Sequence, residues 1–355
     1  MSERPSPLQV GVIGAGWWAT FAHIPAILSH PRAELLAVQS RSLSKADRVA
    51  NDFGAKHALT DPVELLDLPG LDAVVVSTTP NMHYAQAKAA LQRGKHVLIE
   101  KPMTFTAAEA KELCDLADAQ GVQLLISCPW HFTPHGIEVR EMIRRGELGE
   151  IRMISLLMTN PIDKLLKGIN TTPTHGQDNV YIQPCHGSYN EPAIAGGGQI
   201  YCQISHAAAY LTFLTGLRPG EVFARFENEG SVNDIYDALT VTMENGALVS
   251  IASTGATPMS ERNYEVRVYG TKGIFLLELW KGEAVFVPFE GERRVLPPLP
   301  AEGIYPDRGP LDNFVDAALG LAPNGSEGRL GYAAMQVIEA AVESAKTNSP
   351  VKVFT

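Results

Sequence analysis

Residues 10–19, Val-Gly-Val-Ile-Gly-Ala-Gly-Trp-Trp-Ala, constrain this chain more than any other stretch. The apolar run Val10 to Ile13 reads as a strand buried on both faces. It breaks into Gly14-Ala15-Gly16-Trp17-Trp18-Ala19, and a helical pattern follows through Ile24 to Leu28. Glycines at G-x-G-x-x-G/A spacing between a strand and a helix form the fingerprint of a dinucleotide-binding turn. Gly14 permits the tight turn, Gly16 lets the backbone approach a pyrophosphate, and Ala19 lets helix pack on strand. N–H groups at the helix start, in the Trp17–Trp18 stretch, then hold the phosphates.

The next unit bears on which dinucleotide is bound. A second strand over 34–39 ends at Ser40-Arg41-Ser42. About 20 residues after the glycines an NAD site usually places Asp or Glu on the ribose 2′-hydroxyl. Here that place holds Ser40. A carboxylate would repel a 2′-phosphate, whereas Ser40, Arg41, Ser42 and Lys45 offer hydrogen bonds to one. The pattern favours NADP over NAD. Arg41 as a solvated loop cation, or stacked on adenine of either cofactor, is the alternative.

At 355 residues the chain is longer than a single core usually grows, so two domains are expected, 1–128 and 129–355. A net charge of −10 argues against nucleic acid or an anionic membrane as partner. Residues 1–7 lack the apolar centre of a signal peptide and read as a short disordered tail, and no run approaches a membrane span. The cysteines, Cys114, Cys128, Cys185 and Cys202, lack metal-type spacing and read as reduced thiols of a cytoplasmic protein.

After Ser42 helices and strands alternate: helices over 45–53, 62–66, 82–92 and 107–119, strands over 72–77, 96–99 and 122–127. Such alternation implies a doubly wound parallel sheet with ligands at the carboxyl ends of its strands. Past residue 128 the pattern changes. A helix over 135–145 enters a long strand, 150–158, and an irregular segment over 159–195 follows. Gly196-Gly197-Gly198 then opens a helix through His206. Strands over 221–227, 237–244, 248–254, 265–270 and 273–280 imply a largely antiparallel sheet. Helices over 311–319 and 329–346 end the chain.

These residues resemble the glucose–fructose oxidoreductase, inositol dehydrogenase and MocA (Gfo/Idh/MocA) superfamily, over nearly the whole chain. The glycine fingerprint, Thr79-Pro80-Asn81-Met82-His83, Glu100-Lys101-Pro102, and Gly-Glu-Leu-Gly-Glu at 146–150 carry the resemblance. It implies a Rossmann domain followed by an α+β domain with a large open, mostly antiparallel sheet. That sheet commonly forms the subunit interface, so a homo-oligomer, dimer or tetramer, is expected. Thr79, Pro80, Asn81, His83, Glu100 and Lys101 join the residues expected to bind the cofactor.

Lys101 ends a strand on the edge where a nicotinamide lies. An ammonium there can donate to an oxygen on the reacting carbon. The resemblance makes Lys101 catalytic and aligns His206 with the general acid/base histidine. Helical spacing sets Gln199, Cys202, Gln203 and His206 on roughly one face, as a substrate wall. Three positions depart from the family: Cys202 replaces the usual aspartate, Ala209 stands at a later aspartate position, and His131 stands where arginine is frequent. Trp130, His131, His175 and Tyr181 complete the expected carbohydrate-binding set, with aromatic faces for sugar rings and polar groups for hydroxyls. No metal site is expected. The function implied is NAD(P)-dependent hydride transfer at a hydroxyl or carbonyl carbon of a sugar, cyclitol or derivative. The alternatives are a glycosidase that oxidises its sugar transiently with bound NAD, and a nucleotide-sensing regulator without catalysis.

Overall fold

The strands of the first half are short, apolar and bounded by turns, and they assemble as such runs must when both faces are covered. In a computed structural model that describes residues 7–169, 180–184 and 187–353, six of them form one parallel sheet. They are β1 (Leu8–Ile13), β2 (Ala33–Gln39), β3 (His57–Leu59), β4 (Ala73–Val76), β5 (His96–Ile99) and β6 (Leu124–Ile126). Their order is β3-β2-β1-β4-β5-β6. The order reverses between β1 and β4, so the crevice outside their carboxyl ends is where a ligand lies in this architecture. The turns around residues 14–16, 40–42, 77–79 and 100–102 sit on that edge.

Local chemistry sets the helix ends. Ser42 caps the helix Leu43–Phe53 by accepting the Lys45 N–H at 3.4 Å. Thr106 and Glu109 make a reciprocal capping box on Ala107–Gln120. The expected ranges of these elements hold to within a few residues, while β3 is a further strand.

The chain divides into two compact units, and Asp307–Arg329 belongs with the parallel sheet, not with the residues that precede it. The helix Gly309–Ala318 is tied there by Arg32, which reaches Asp316 at 2.5 Å. Ser326 closes the open edge of β6: its hydroxyl donates to the Ile126 carbonyl at 2.7 Å and its carbonyl accepts the Ile126 N–H at 2.9 Å. No local sequence pattern announces this return.

The second unit is built on nine strands: β7 (Ile151–Thr159), β8 (Pro219–Glu227), β9 (Tyr236–Met243), β10 (Leu248–Thr254), β11 (Asn263–Gly270), β12 (Gly273–Glu278), β13 (Glu283–Pro288), β14 (Arg294–Val295) and β15 (Val351–Lys352). They run in the order β14-β13-β12-β11-β7-β10-β9-β8-β15. All pairs are antiparallel except β7 with β10. The early strand β7 is thus inserted at the centre, and β13 to β15 extend both ends beyond the strands read from the sequence.

Alternation decides the two faces. Ile154, Leu156, Val241, Val249, Ile251, Val266 and Val268 point inward and are buried. Helices Pro134–Arg144 and Ser205–Thr215 pack with one another on that side. The outer face carries cross-strand rows such as Tyr269–Met153–Leu248–Thr242 and Glu265–Leu157–Ala252–Ala238. Met153, Leu157, Tyr236 and Leu248 are exposed there.

Candidate active site

Each unit carries its own group of candidate residues. In the first, Gly14 has φ +89°, and a Cβ there would lie 2.6 Å from Thr78 Cγ2 and 2.7 Å from the Ser77 carbonyl oxygen. Only glycine fits. At Gly16 the nearest atom to an added Cβ is 3.8 Å away, so that side is open. The helix starts at once with Trp17 and Trp18. A tight turn with an open flank at a helix N-terminus fits a dinucleotide pyrophosphate. Gln39, which the sequence reading passed over, sets the turn: its side-chain oxygen accepts the Gly14 N–H at 3.2 Å and its amide donates to the Thr60 carbonyl at 2.7 Å.

At the end of β2, Ser40 is buried with its N–H on the Leu59 carbonyl, and Arg41 is exposed. The Ser42 hydroxyl is engaged in its helix cap. Arg41 therefore stands beside the positive end of a helix, surroundings that suit an anion.

At the end of β5, Glu100 is buried and collects three donors. The His23 ring donates from Nε2 at 2.8 Å, the Lys101 N–H donates at 3.2 Å, and the Ser127 hydroxyl also bonds to it. Burial raises the carboxyl, but these bonds and the Lys101 charge outweigh it, and the group lies below the usual glutamate range. Glu100 is ionised and committed to its own chain rather than presented to a cofactor. His83 is likewise buried: Nδ1 faces the Pro102 carbonyl at 2.8 Å and Nε2 the Thr78 carbonyl at 3.2 Å. Burial pushes its pKa down. Neutral imidazole has one N–H, so the shorter contact takes it. Two residues expected to touch the cofactor thus hold the turn that carries Lys101. Among the neighbouring expected residues, the Thr79 hydroxyl donates to Asn81 at 2.7 Å, at the start of the helix Pro80–Gln92.

In the second unit the helix after the triple glycine opens as a wide π turn, Ile200–Ile204, before the regular helix Ser205–Thr215. The wide turn changes the spacing on which the expected common face rested. Gln199 is fully buried, its amide donating to the Ser253 hydroxyl at 2.8 Å, so it anchors the helix instead of lining a cleft. Asp234 fixes the same start, accepting the N–H groups of Gly198 at 2.9 Å and Ile200 at 2.6 Å. Beside it Asn233 donates to the carbonyls of Leu166 and Asn190.

Cys202 and Gln203 are half-buried. Asn160 donates to Gln203 at 3.0 Å, Gln203 donates to Cys202 Sγ at 3.7 Å, and the thiol packs on Ile162, Leu166 and Ile235. A carboxylate on that apolar cluster would be costly, which accounts for cysteine there. His206 lies in the next turn, 5 % exposed.

The remaining expected residues separate. Trp130 and His131 are buried: Trp130 packs edge-on to Tyr264, Trp280 and Tyr305, and His131 stacks on Phe213. Burial, helped by Arg140, pushes the His131 pKa down to about 3. Both serve the core of the unit, since large rings on an inward turn bury more area than they could in a wet cleft. Tyr181 lies in the first unit, against Phe53 and bonded to Asp52. His175 falls outside the described residues. No cluster of three metal-binding side chains occurs among the described residues.

A parallel sheet with a glycine turn at its switch point, a lysine closing β5, and a separate open-sheet unit define an NAD-binding oxidoreductase. Residues 8–127 match the model of the oxidoreductase family with NAD-binding Rossmann fold, and residues 137–276 match the GFO/IDH/MocA C-terminal domain. The chain belongs to the Gfo/Idh/MocA family of oxidoreductases. It is an NAD(P)-dependent dehydrogenase or reductase.

An uncharacterized oxidoreductase of Synechocystis is 31% identical over 292 residues, covering 78% of this chain and 73% of that one. A dTDP-3,4-didehydro-2,6-dideoxy-α-D-glucose 3-reductase of Streptomyces antibioticus is 39% identical over 159 residues. That match covers 44% of this chain and 48% of the relative, so it spans only about half of either. The fold is shared with a levoglucosan dehydrogenase solved with NADH and L-sorbose, at TM-score 0.79 and 21% identity over 99% of this chain and 100% of that one. No described helix is long and apolar enough to cross a membrane.

Proposed function

We propose that this protein transfers hydride between a nicotinamide dinucleotide, NADP in preference to NAD, and a hydroxyl or carbonyl carbon of a sugar, cyclitol or sugar derivative. The observation that carries the reading is Lys101, at the carboxyl end of β5, on a turn whose every other residue is pinned by a buried group. The sugar-directed names of relatives support the substrate class. Gly14, Gly16 and the N–H groups at the start of the Trp17 helix hold the pyrophosphate, and Ser40 and Arg41 receive a 2′-phosphate. The bound nicotinamide supplies or accepts the hydride.

In the oxidative direction the carbon gives up a hydride and its hydroxyl gives a proton to His206, which leaves a carbonyl. Lys101 donates a hydrogen bond to that oxygen and stabilises its developing charge. In reduction Lys101 donates to the carbonyl and His206 returns the proton. Cys202, packed on an apolar cluster, shapes the wall beside His206.

A sugar and nucleotide-sugar panel, followed by NAD(P)H absorbance, tests the reading with Lys101→Met and Cys202→Ser. Lys101→Met should lower kcat by about 10²–10⁴-fold with cofactor binding retained. Cys202→Ser should cost under about tenfold. Near-native turnover in Lys101→Met would discard the assignment. The exposed rows of the nine-stranded sheet support a homo-oligomer joined by that face. Light scattering that finds a monomer at micromolar concentration would discard that part.

A further inference from the structure

The triplet Glu100-Lys101-Pro102 is gripped on both sides of its central residue by buried histidines that come from different helices. His23, at the end of the wide turn Ala19–His23, donates to Glu100 Oε1 at 2.8 Å. His83, in the helix Pro80–Gln92, donates to the Pro102 carbonyl at 2.8 Å. Both rings are 1% exposed. Glu100 Oε2 returns to accept the Lys101 N–H, and its own N–H is bonded to the Val76 carbonyl of β4 at 3.0 Å. The residues either side of Lys101 are therefore tied to the glycine-turn helix, to β4 and to the helix that follows β4.

We propose that His23 and His83 are positioning residues that hold the Glu100–Lys101–Pro102 turn from its two ends and so fix where the Lys101 ammonium stands. The proposal rests on the reading of Lys101 as the substrate-facing donor. The physical reason is preorganisation. A lysine stem has four rotatable bonds, and a donor misplaced by about 1 Å can cost on the order of 10²-fold in rate. A turn fixed at both flanks removes backbone freedom from that error. His23 also joins the turn to the segment that begins the dinucleotide site, so the cofactor turn and the lysine turn share one rigid support.

The test uses the full chain and two readouts. Hydrogen–deuterium exchange of the peptic peptide spanning residues 97–105, without substrate or cofactor, reads the turn itself. The kcat and KM on a substrate found by the panel read its consequence. His23→Leu removes the donor and His23→Gln keeps one; His83→Leu and His83→Gln do the same at the other end. Each leucine variant should speed exchange in that peptide by about tenfold or more, with exchange over β1 and β4 unchanged. The same variants should lower kcat by about 10- to 100-fold, with KM within about twofold, and the glutamine variants should recover most of both.

Should a leucine variant not fold, Glu100→Gln carries the same exchange expectation, because an amide cannot accept all three donors. Exchange unchanged in any folded leucine variant or in Glu100→Gln overturns the proposal. So does a glutamine variant no better than leucine. If Lys101→Met keeps its turnover, the reading of Lys101 falls, and with it the consequence for kcat; the exchange result still judges the cradle.

Discussion

His131 gives the sharpest quantitative prediction. Its ring is buried and stacked on Phe213 at 4.5 Å with 3° between the planes, and the Arg140 guanidinium lies 4.7 Å over the same Phe213 ring. Burial first, and Arg140 second, depress its pKa to about 3 from an ordinary 6.5. A histidine depressed on folding contributes nothing unfavourable above the unfolded value. As pH falls below 6.5 the unfolded chain takes up a proton that the folded one refuses, and stability is lost down to about pH 3. Each pH unit in that window costs about 1.4 kcal/mol, so at pH 4.5 the loss relative to pH 8 is about 2.7 kcal/mol. His131→Phe keeps the stacked area and removes the titration. Urea unfolding of both proteins, followed by tryptophan fluorescence at pH 8, 6.5, 5.5 and 4.5, measures it; Trp130 and Trp280 report from the same unit. The variant should gain on the parent by about 2.7 kcal/mol between pH 8 and 4.5. A constant offset from the lost imidazole leaves this slope untouched, and His83 and His96, also depressed by burial, titrate equally in both proteins. Parallel stability curves across the pH range would refute the reasoning.

Asp237 is the opposite case: burial, with Asp234 beside it, raises its carboxyl well above the ordinary value. Folded stability is therefore lost as pH rises above about 4, and Asp237→Asn should stabilise the protein more at neutral pH than at pH 4 in the same urea assay. Gly198→Ala sets a Cβ 2.2 Å from the Asp234 carbonyl oxygen, so it should lower stability by more than about 2 kcal/mol and disorder the start of the π turn, read by melting temperature and by exchange over residues 196–204. Arg41→Ala should weaken NADP by about 1.5–3 kcal/mol in a fluorescence titration and leave NAD unchanged, the scale of a charge-assisted hydrogen bond; tighter binding of NAD than NADP by the parent would refute the preference.

The sequence by itself determined the parallel sheet, its glycine turn and the place of Lys101, because these depend on local signals. Buried parallel strands read as continuous apolar runs, Gly14 answers a backbone angle, and the strand ends follow from both. The open antiparallel sheet was legible in the same way, through the alternation of β9, β10 and β11. Partnership between distant residues was not. The His23–Glu100 bond joins residues 77 apart, Asp234 caps a helix 34 residues before it, and Asp307–Arg329 returns to the first unit, all without any local pattern. Burial was equally invisible: Trp130, His131 and Gln199 have the chemistry of a sugar site, yet the tertiary structure spends them on its interior. The π turn Ile200–Ile204 removed the expected common face as well, since one wide turn rotates every residue after it relative to Gln199 before it and dissolves a face counted at 3.6 residues per turn. Residue type and spacing state what a side chain can do; which way it faces follows only once distant segments compete for the same buried volume.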